Sequence, residues 1–580
     1  MNSGPDGQFL AELMIGRFRW DLLRPFPRQH EADRAIGDKA AHGMAAFVAE
    51  HLDPLSIDDD RRLPQRFYDA LRASDYLRLQ VPEGDGGLGL SDYNAFRVVS
   101  AAARVSGAAG FAIGTHNGIG LPALLPVLPV GPLRDLVLGR LADGVISGWA
   151  DTEPVGAGND HPTVVAMPVG AGAYSITGDK VFISNGAVAD ELVVSAATPG
   201  DDGAACLFIV DTRSAGFRVA STQDVIGFNG LPLAALRFDR VLVPAERVLS
   251  SPTGNWRLAP LFEPVSARGR LYLVSGAALA IADTCLEFQR DFLGRRSVNG
   301  VPLGRYPAIR ELVADSAADV FAMDSVVRWC LLGNDDAANV TVRNLDRRAA
   351  KNMTTLTCWR VVDRTMSLLA AEGAETARSK ARRGALALPM ERLFRDARVL
   401  RITGGVDFAV DIWAAEAMFA RSYDPLPANV AEIESDDLGV DLSDAGGLSP
   451  RNREHLAVTA RAVRQLARDC LRLARDHADR DELVAQQRTL GAVGRSVGEL
   501  FAMAVVLARA ASHTGEDHVH VQEMADIFSA NARRRLAALR PDLDGRDDLG
   551  EHKNAVTEWL QTDHGPNGGT DTCAWLARPD

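Results

Sequence analysis

Between about Ile146 and Val248 the apolar residues recur at every second position, whereas on both sides of that stretch they recur at every third or fourth. This switch constrains the fold more than any other feature, because a strand presents alternate residues to one face and a helix every third or fourth. The runs TVVAMPV, YSITGDKVFISNG, ELVVSAAT, ACLFIVD, FRVAS and LRFDRVLVP are short and rich in β-branched and aromatic residues, and Gly, Asp and Asn turns separate them. They predict a compact antiparallel β-barrel or sandwich over residues 146–255.

Before it, residues 1–145 read as a helical domain. Leu63, Phe67, Leu71 and Leu77 keep helical spacing, and the glycines of VPEGDGGLGLSD force a loop. After it, residues 256–425 carry long Ala/Leu/Arg-rich segments such as YLVSGAALAIADTCLEFQRDFLG, whose length suits a helical bundle. Residues 426–580 begin with an acidic, Gly- and Pro-containing linker. Ser449-Pro450 then offers an N-cap and first-turn proline to a helix striped by Leu456, Val463, Leu466, Cys470 and Leu473. A chain of 580 residues with 47% apolar and 24% charged residues can bury several such cores. The expected class is therefore α+β multidomain: helical, β, helical bundle, and an additional C-terminal helical domain.

A net charge of −13 with no basic stripe disfavours nucleic acid as a partner. Six widely separated cysteines show neither zinc spacing nor a disulfide framework, and read as reduced thiols of a cytoplasmic protein. The N-terminus has no secretory h-region, and no run of about 18 uninterrupted apolar residues marks a membrane span. His518-Val519-His520 reads as a polar turn between helices rather than a metal site, and PVGAGAYS as a hairpin turn rather than a dinucleotide fingerprint.

The segments at the domain joints carry more information. VPEGDGGLGLSD, GTHNGIG, WADTEPVGAGND, VFISNG, GVPLGRYPAIRELVAD and PMERLFRDARVLRITGG follow one another from Val81 to Gly405, within a stretch from about residue 15 to about residue 425. In content and order they resemble the acyl-CoA dehydrogenase family, and the C-terminal helical extension resembles that of its very-long-chain type. The resemblance implies FAD as cofactor and an acyl thioester, on CoA or acyl carrier protein, as substrate. It implies electron-transfer flavoprotein or oxygen as acceptor, and a homodimer. Thr152 then matches the residue bonding the flavin pyrimidine edge, Ser184 the hydroxyl facing flavin N5, and Phe182 the aromatic shielding the ring. Gly158-Asn159-Asp160 stands where the family has Gly-Ser-Asp against the thioester-bearing chain. Arg296 heads R-x-x-N-G in place of R-x-x-F-G, whose arginine meets the pyrophosphate of a neighbour's FAD, with Arg295 one position away.

The departures lie at the chemistry. Removing the α-proton of a thioester while the β-hydride leaves for flavin requires a positioned base, and the family supplies a glutamate in a run after Arg-Asp-Ala. That run here is Thr403-Gly404-Gly405-Val406, so Gly404 holds the base position. A minority of members carry the glutamate before an arginine on the helix that opens the bundle. The pair here is Gly269-Arg270, so that position is empty as well. Asp407 and Glu263 are the nearest acidic residues in sequence. Asn299, and Ser367, Ala370 and Ala371 in place of a Gln-x-x-Gly-Gly run, alter the surface that grips a neighbour's FAD. Three functions follow: an oxidoreductase on the CH-CH group of an acyl thioester, with a relocated or substrate-supplied base; a non-catalytic subunit paired in a heteromer with a glutamate-bearing paralogue; or a flavin-dependent monooxygenase.

Overall fold

The computed structural model describes residues 8–157, 162–170, 172–199, 205–249, 262–332, 344–438, 445–477 and 479–544. Helices Glu31–His51, Asp92–Val105 and Gly107–Ile119 lead the N-terminal lobe. Ser91 and Ser106 cap the latter two by accepting backbone N–H bonds from Asn94 and Ala109.

Eight strands follow: β1 (Ser147–Ala150), β2 (Val165–Val169), β3 (Ala173–Ile183), β4 (Glu191–Ala197), β5 (Ala205–Asp211), β6 (Phe217–Thr222), β7 (Ala234–Pro244) and β8 (Val248–Leu249). They form one sheet in the order β6-β7-β3-β2-β4-β5-β8, with β1 beside β4. Pairing is antiparallel except along β4, which runs parallel to β1 in register Ser147 to Glu191 and touches β2 in parallel at Val165 and Ala197. The sheet is otherwise antiparallel, as expected from sequence, and departs from that pattern only along β4. ELVVSAA is apolar almost throughout because both its faces are covered. Val193 joins Leu207 and Ile209 against Leu124, Leu128 and Leu141 of the N-terminal lobe, while Leu192 and Val194 face Ile176, Leu236 and Phe238 inside the sheet.

The bundle opens with a helix over Phe262–Gly269 that widens into π-helical turns across Arg270–Ser275 and continues as Gly276–Arg295. A small hairpin, β9 (Ser297–Val298) and β10 (Val301–Pro302), leads to helices Pro307–Leu331, Asn344–Leu369, Met390–Leu400 and Asp407–Ser422.

The three long C-terminal helices, Pro450–Asp476, Gln487–Ser512 and His518–Leu543, do not stand apart as a separate unit. They share one continuous apolar core with the bundle and the N-terminal lobe, and Phe9 packs on Phe501. Ser449 caps the first of them by accepting from Asn452 N, with Pro450 at its first position. The preceding linker is clamped by buried Arg464, which donates to the carbonyls of Glu432 and Leu438 and to that of Gly16 near the N-terminus. Val265–Arg295 and Gln487–Ser512 are long and apolar enough to cross a membrane by length and composition, but 78% and 72% of their apolar windows are packed inside the protein. Mean hydropathy thus flags two helices that a search for uninterrupted apolar runs passes over. Cys285, Cys330, Cys358 and Cys470 are buried thiols, and no disulfide occurs among the described residues. Cys573 lies outside them.

Candidate active site

Thr152 leaves β1 in an extended segment whose carbonyl accepts the Val181 N–H of β3 at 2.9 Å. This bond brings the TEPVGAG and VFISNG segments side by side. A buried ion pair fixes the junction: Lys180 Nζ donates to Glu153 Oε1 (2.8 Å), to the Asp151 carbonyl (3.0 Å) and to Ser195 Oγ (3.0 Å). Thr152 is thereby pinned between two residues that one ammonium holds. Burial alone would raise the Glu153 carboxyl, but the bonds from Lys180 and Thr163 outweigh it and hold the group below its ordinary range.

Thr152 and Ser184 are half-buried, and neither hydroxyl forms a side-chain hydrogen bond among the described residues. Phe182 takes a positive φ of 56°, gives its N–H to Gln223 Oε1 (2.7 Å), and leaves 55% of its side chain exposed. Two unspent hydroxyls beside an exposed aromatic ring suit the polar edge and flat face of a planar heteroaromatic. Asn185, also at positive φ and fully buried, donates Nδ2 to the carbonyls of Ala112 (2.9 Å) and Ser147 (3.1 Å), tying this corner to the helix Gly107–Ile119. His116 of that helix is buried and neutral. Its Nε2 bonds the Leu77 carbonyl and its Nδ1 meets Ser147, and burial pulls its pKa down to about 4.

The two emptied base positions are neighbours in space. Arg270 Nε donates to the Gly404 carbonyl (3.1 Å), and the next carbonyl, of Gly405, accepts from Lys351 Nζ (2.6 Å). Gly404 and Gly405 have φ of 72° and 110°, the left-handed region that favours glycine. A Cβ on Gly404 would meet only Val274 and the Arg270 stem, at 3.5 and 3.6 Å, whereas one on Gly269 would fall 2.1 Å from Ile119 Cγ2. The first position has room for a side chain and the second has none. Burial, reinforced by nearby Arg348, pulls the Arg270 pKa down to about 10. Burial, with Arg270 as the next contributor, brings fully buried Lys351 down to about 8.

Asp407 is committed elsewhere: Arg401 Nε reaches its Oδ2 at 2.7 Å, and its Oδ1 accepts the Phe408 N–H. It is the first residue of the helix Asp407–Ser422, whose N-cap position is Val406. The Glu263 side chain, Gly158 and Asn159 lie outside the described residues. Arg295 pairs with Glu372 and Asp291 and lies over Phe292, while Arg296 is exposed and bonds only the neighbouring Ser297 carbonyl. Of the two adjacent arginines, Arg296 therefore keeps its charge available. Asn299 and Gly300, at φ 51° and 76°, form the two-residue turn of the β9–β10 hairpin, which explains asparagine at that position. Ala370 adopts φ 50°, the backbone of a glycine under an alanine side chain.

Sequence reasoning missed Lys180, Asn185, Lys351 and Asp92. Asp92, at the end of the VPEGDGGLGLSD loop, accepts from Arg347 Nη2 (2.8 Å) and from the Tyr272 hydroxyl, locking the N-terminal lobe to the bundle two residues from Arg270. Asn185 sits inside the VFISNG block and Lys180 immediately precedes it, so a lysine in an otherwise apolar strand was the one signal available for Lys180. Among the described residues no three His, Cys, Asp or Glu gather as a metal site.

Three family profiles match in chain order: acyl-CoA dehydrogenase N-terminal domain at 35–127, middle domain at 148–241 and C-terminal domain at 267–409. The chain is 28% identical over 562 residues to the probable acyl-CoA dehydrogenase FadE10 of Mycobacterium tuberculosis, covering 92% of this chain and 85% of that protein. It is 24% identical over 575 residues to human mitochondrial very long-chain specific acyl-CoA dehydrogenase, covering 92% and 84%. A crystal structure of a Bacillus anthracis acyl-CoA dehydrogenase complexed with FAD superposes with a TM-score of 0.76 at 18% identity, over 96% of this chain and 95% of that one. Butyryl-CoA dehydrogenase of Megasphaera elsdenii superposes at 0.59 and 20% identity, over 68% and 99%. With its three lobes matched in order and its flavin-edge corner assembled, the chain belongs to the acyl-CoA dehydrogenase family.

Proposed function

We propose that this protein is an FAD-dependent oxidoreductase acting on the CH-CH group of an acyl thioester, carried on CoA or on a carrier protein. One observation carries the reading: the Thr152–Val181 backbone bond brings the unspent Thr152 hydroxyl, pinned by the Lys180–Glu153 pair, alongside the segment that carries exposed Phe182 and the unspent Ser184 hydroxyl. Thr152, Ser184 and Phe182 would hold the isoalloxazine of FAD, and Arg296 would meet the pyrophosphate of a neighbouring subunit's cofactor. When bound, the flavin supplies a hydride acceptor. The protein's own part is to exclude water, orient the acyl chain and stabilise charge at its carbonyl. The thioester would lie near the Gly404-Gly405 loop, where Arg270 and Lys351 supply positive charge and no described side chain supplies the usual base.

Electron-transfer flavoprotein or oxygen would reoxidise the cofactor in a cytoplasmic homodimer. The test is the absorbance spectrum of the purified protein, followed by anaerobic addition of acyl-CoA thioesters. A flavin spectrum bleached by a thioester is expected, and a colourless protein that takes up no added FAD would overturn the reading. The absence of a side chain at Gly404 also favours a second role, a non-catalytic subunit completing a glutamate-bearing paralogue. Native mass spectrometry separates the two, since a homodimer with stoichiometric FAD removes the second.

A further inference from the structure

We infer that the acyl substrate carries a carboxylate of its own, which lies against Arg270 in the space left above Gly404. The inference rests on the functional reading above and narrows its substrate class. A half-buried guanidinium needs a counter-charge, because a desolvated cation without one costs several kcal/mol. Arg270 has none: its only hydrogen bond is from Nε to the Gly404 carbonyl, so Nη1 and Nη2 have no partner among the described residues. The charges around it deepen the deficit. Arg348 is the charged group that acts on it, and Arg270 in turn bears on Lys351, both cations. The carboxylates that act on neighbouring Lys351 are already taken, Asp407 by Arg401 and Asp411 by Arg495 and Asn352.

The side-chain position of exposed Gly404 is also open. A Cβ on Gly404 meets only Val274 Cγ2 and Arg270 Cγ, both at ordinary contact distance, so an anionic group fits where a side chain would project. The loop's shape does not depend on a side chain at that position, because Arg270 and Lys351 hold its two successive carbonyls. A cation without a counter-charge among the described residues, beside an open side-chain position, can take an anion, and an arginine fork matches a carboxylate in two bonds.

The experiment is isothermal titration calorimetry of the full-length, FAD-replete protein with length-matched pairs: glutaryl-CoA against valeryl-CoA and succinyl-CoA against butyryl-CoA. The thioester bearing the carboxylate should bind at least about tenfold more tightly, the scale of one charge-assisted bond. Arg270→Gln should reduce that preference to near unity, and Arg270→Lys should keep most of it. Gly404→Glu, which places a carboxylate of the chain's own in the gap, should also cancel it. Equal affinities within each pair, or a preference that survives Arg270→Gln, overturn the inference while leaving the enzyme reading in place. Failure of all four thioesters to bind instead removes the reading of an enzyme on CoA thioesters of this length, and this inference with it. Acetate added beside valeryl-CoA should leave its affinity unchanged; a rise to that of glutaryl-CoA would mean that the anion arrives from solution, overturning the assignment to the acyl chain.

Discussion

Gly404→Glu is the most informative single change, because the structure separates its cost from that of Gly269→Glu. At Gly404 the backbone has φ 72°, where an L-residue is disfavoured by about 1–2 kcal/mol. The new Cβ meets nothing closer than 3.5 Å, so no packing penalty is added. The carboxylate would gain Arg270 as a partner, and a charge-assisted bond of about 1.5–3 kcal/mol offsets much of the backbone cost and the desolvation of the acid. The variant should therefore unfold within about 1 kcal/mol of the parent. Gly269→Glu starts from a Cβ 2.1 Å from Ile119 Cγ2 in a packed helix crossing, and overpacking of that kind costs about 1–3 kcal/mol before the remaining side-chain atoms are placed. Thermal unfolding of the two variants side by side reads this difference. Anaerobic stopped-flow reduction of bound flavin by butyryl-CoA then reads the chemistry, where a restored base should raise the rate by about 10²- to 10⁴-fold. Equal destabilisation of both variants would refute the packing argument. A stable Gly404→Glu protein with an unchanged rate would show that this loop does not face the reacting carbon.

Other outcomes follow from the same geometry. Lys180→Met should strand the Glu153 carboxylate in the β domain, costing about 3–5 kcal/mol in denaturant unfolding and weakening flavin retention, while a surface change such as Arg240→Met should do neither. Ala370→Gly should raise stability by about 1 kcal/mol in the same assay, because it relieves a positive φ; a loss would mean that the alanine methyl packs usefully. His116 has a folded-state pKa pulled below its ordinary 6.5 to about 4, so between those values the unfolded chain binds more protons than the folded one. Its contribution, of order 3 kcal/mol, is fully present above about pH 6.5 and is lost as pH falls toward 4. His116→Gln should flatten stability against pH across that window, and an unaltered slope would assign the acid sensitivity to other groups.

The parts legible in sequence were those encoded over short spans. The period switch located the β lobe because alternation is local, and the TEPVGAG and VFISNG blocks marked a corner whose adjacency the Thr152–Val181 bond bears out. Ser449-Pro450 announced its helix through residues next to each other in the chain. What sequence could not supply were contacts made across distance. Lys351 meets Gly405 from 54 residues away, and Asn185 meets Ala112 from 73. Nothing in the local pattern of either residue indicates such a partner. The parallel β1–β4 pairing and the merging of the C-terminal helices with the bundle are topological outcomes of the same kind. Choosing between Arg295 and Arg296 required knowing that Glu372 lies beside the first.

The widened turns at Arg270–Ser275 have a consequence for how this chain tolerates length changes. A helix advances about 100° per residue, so extra backbone taken up in a broad turn rotates everything beyond it relative to what came before. Upstream, the rod aims Arg270 at the glycine loop; downstream, it turns its alanine-rich side, from Ala277 to Ala282, into the protein interior. Removing a single residue from this segment would straighten the rod while leaving its hydropathy almost untouched. Its two halves would then be out of phase, with either the arginine or the alanines facing the wrong way.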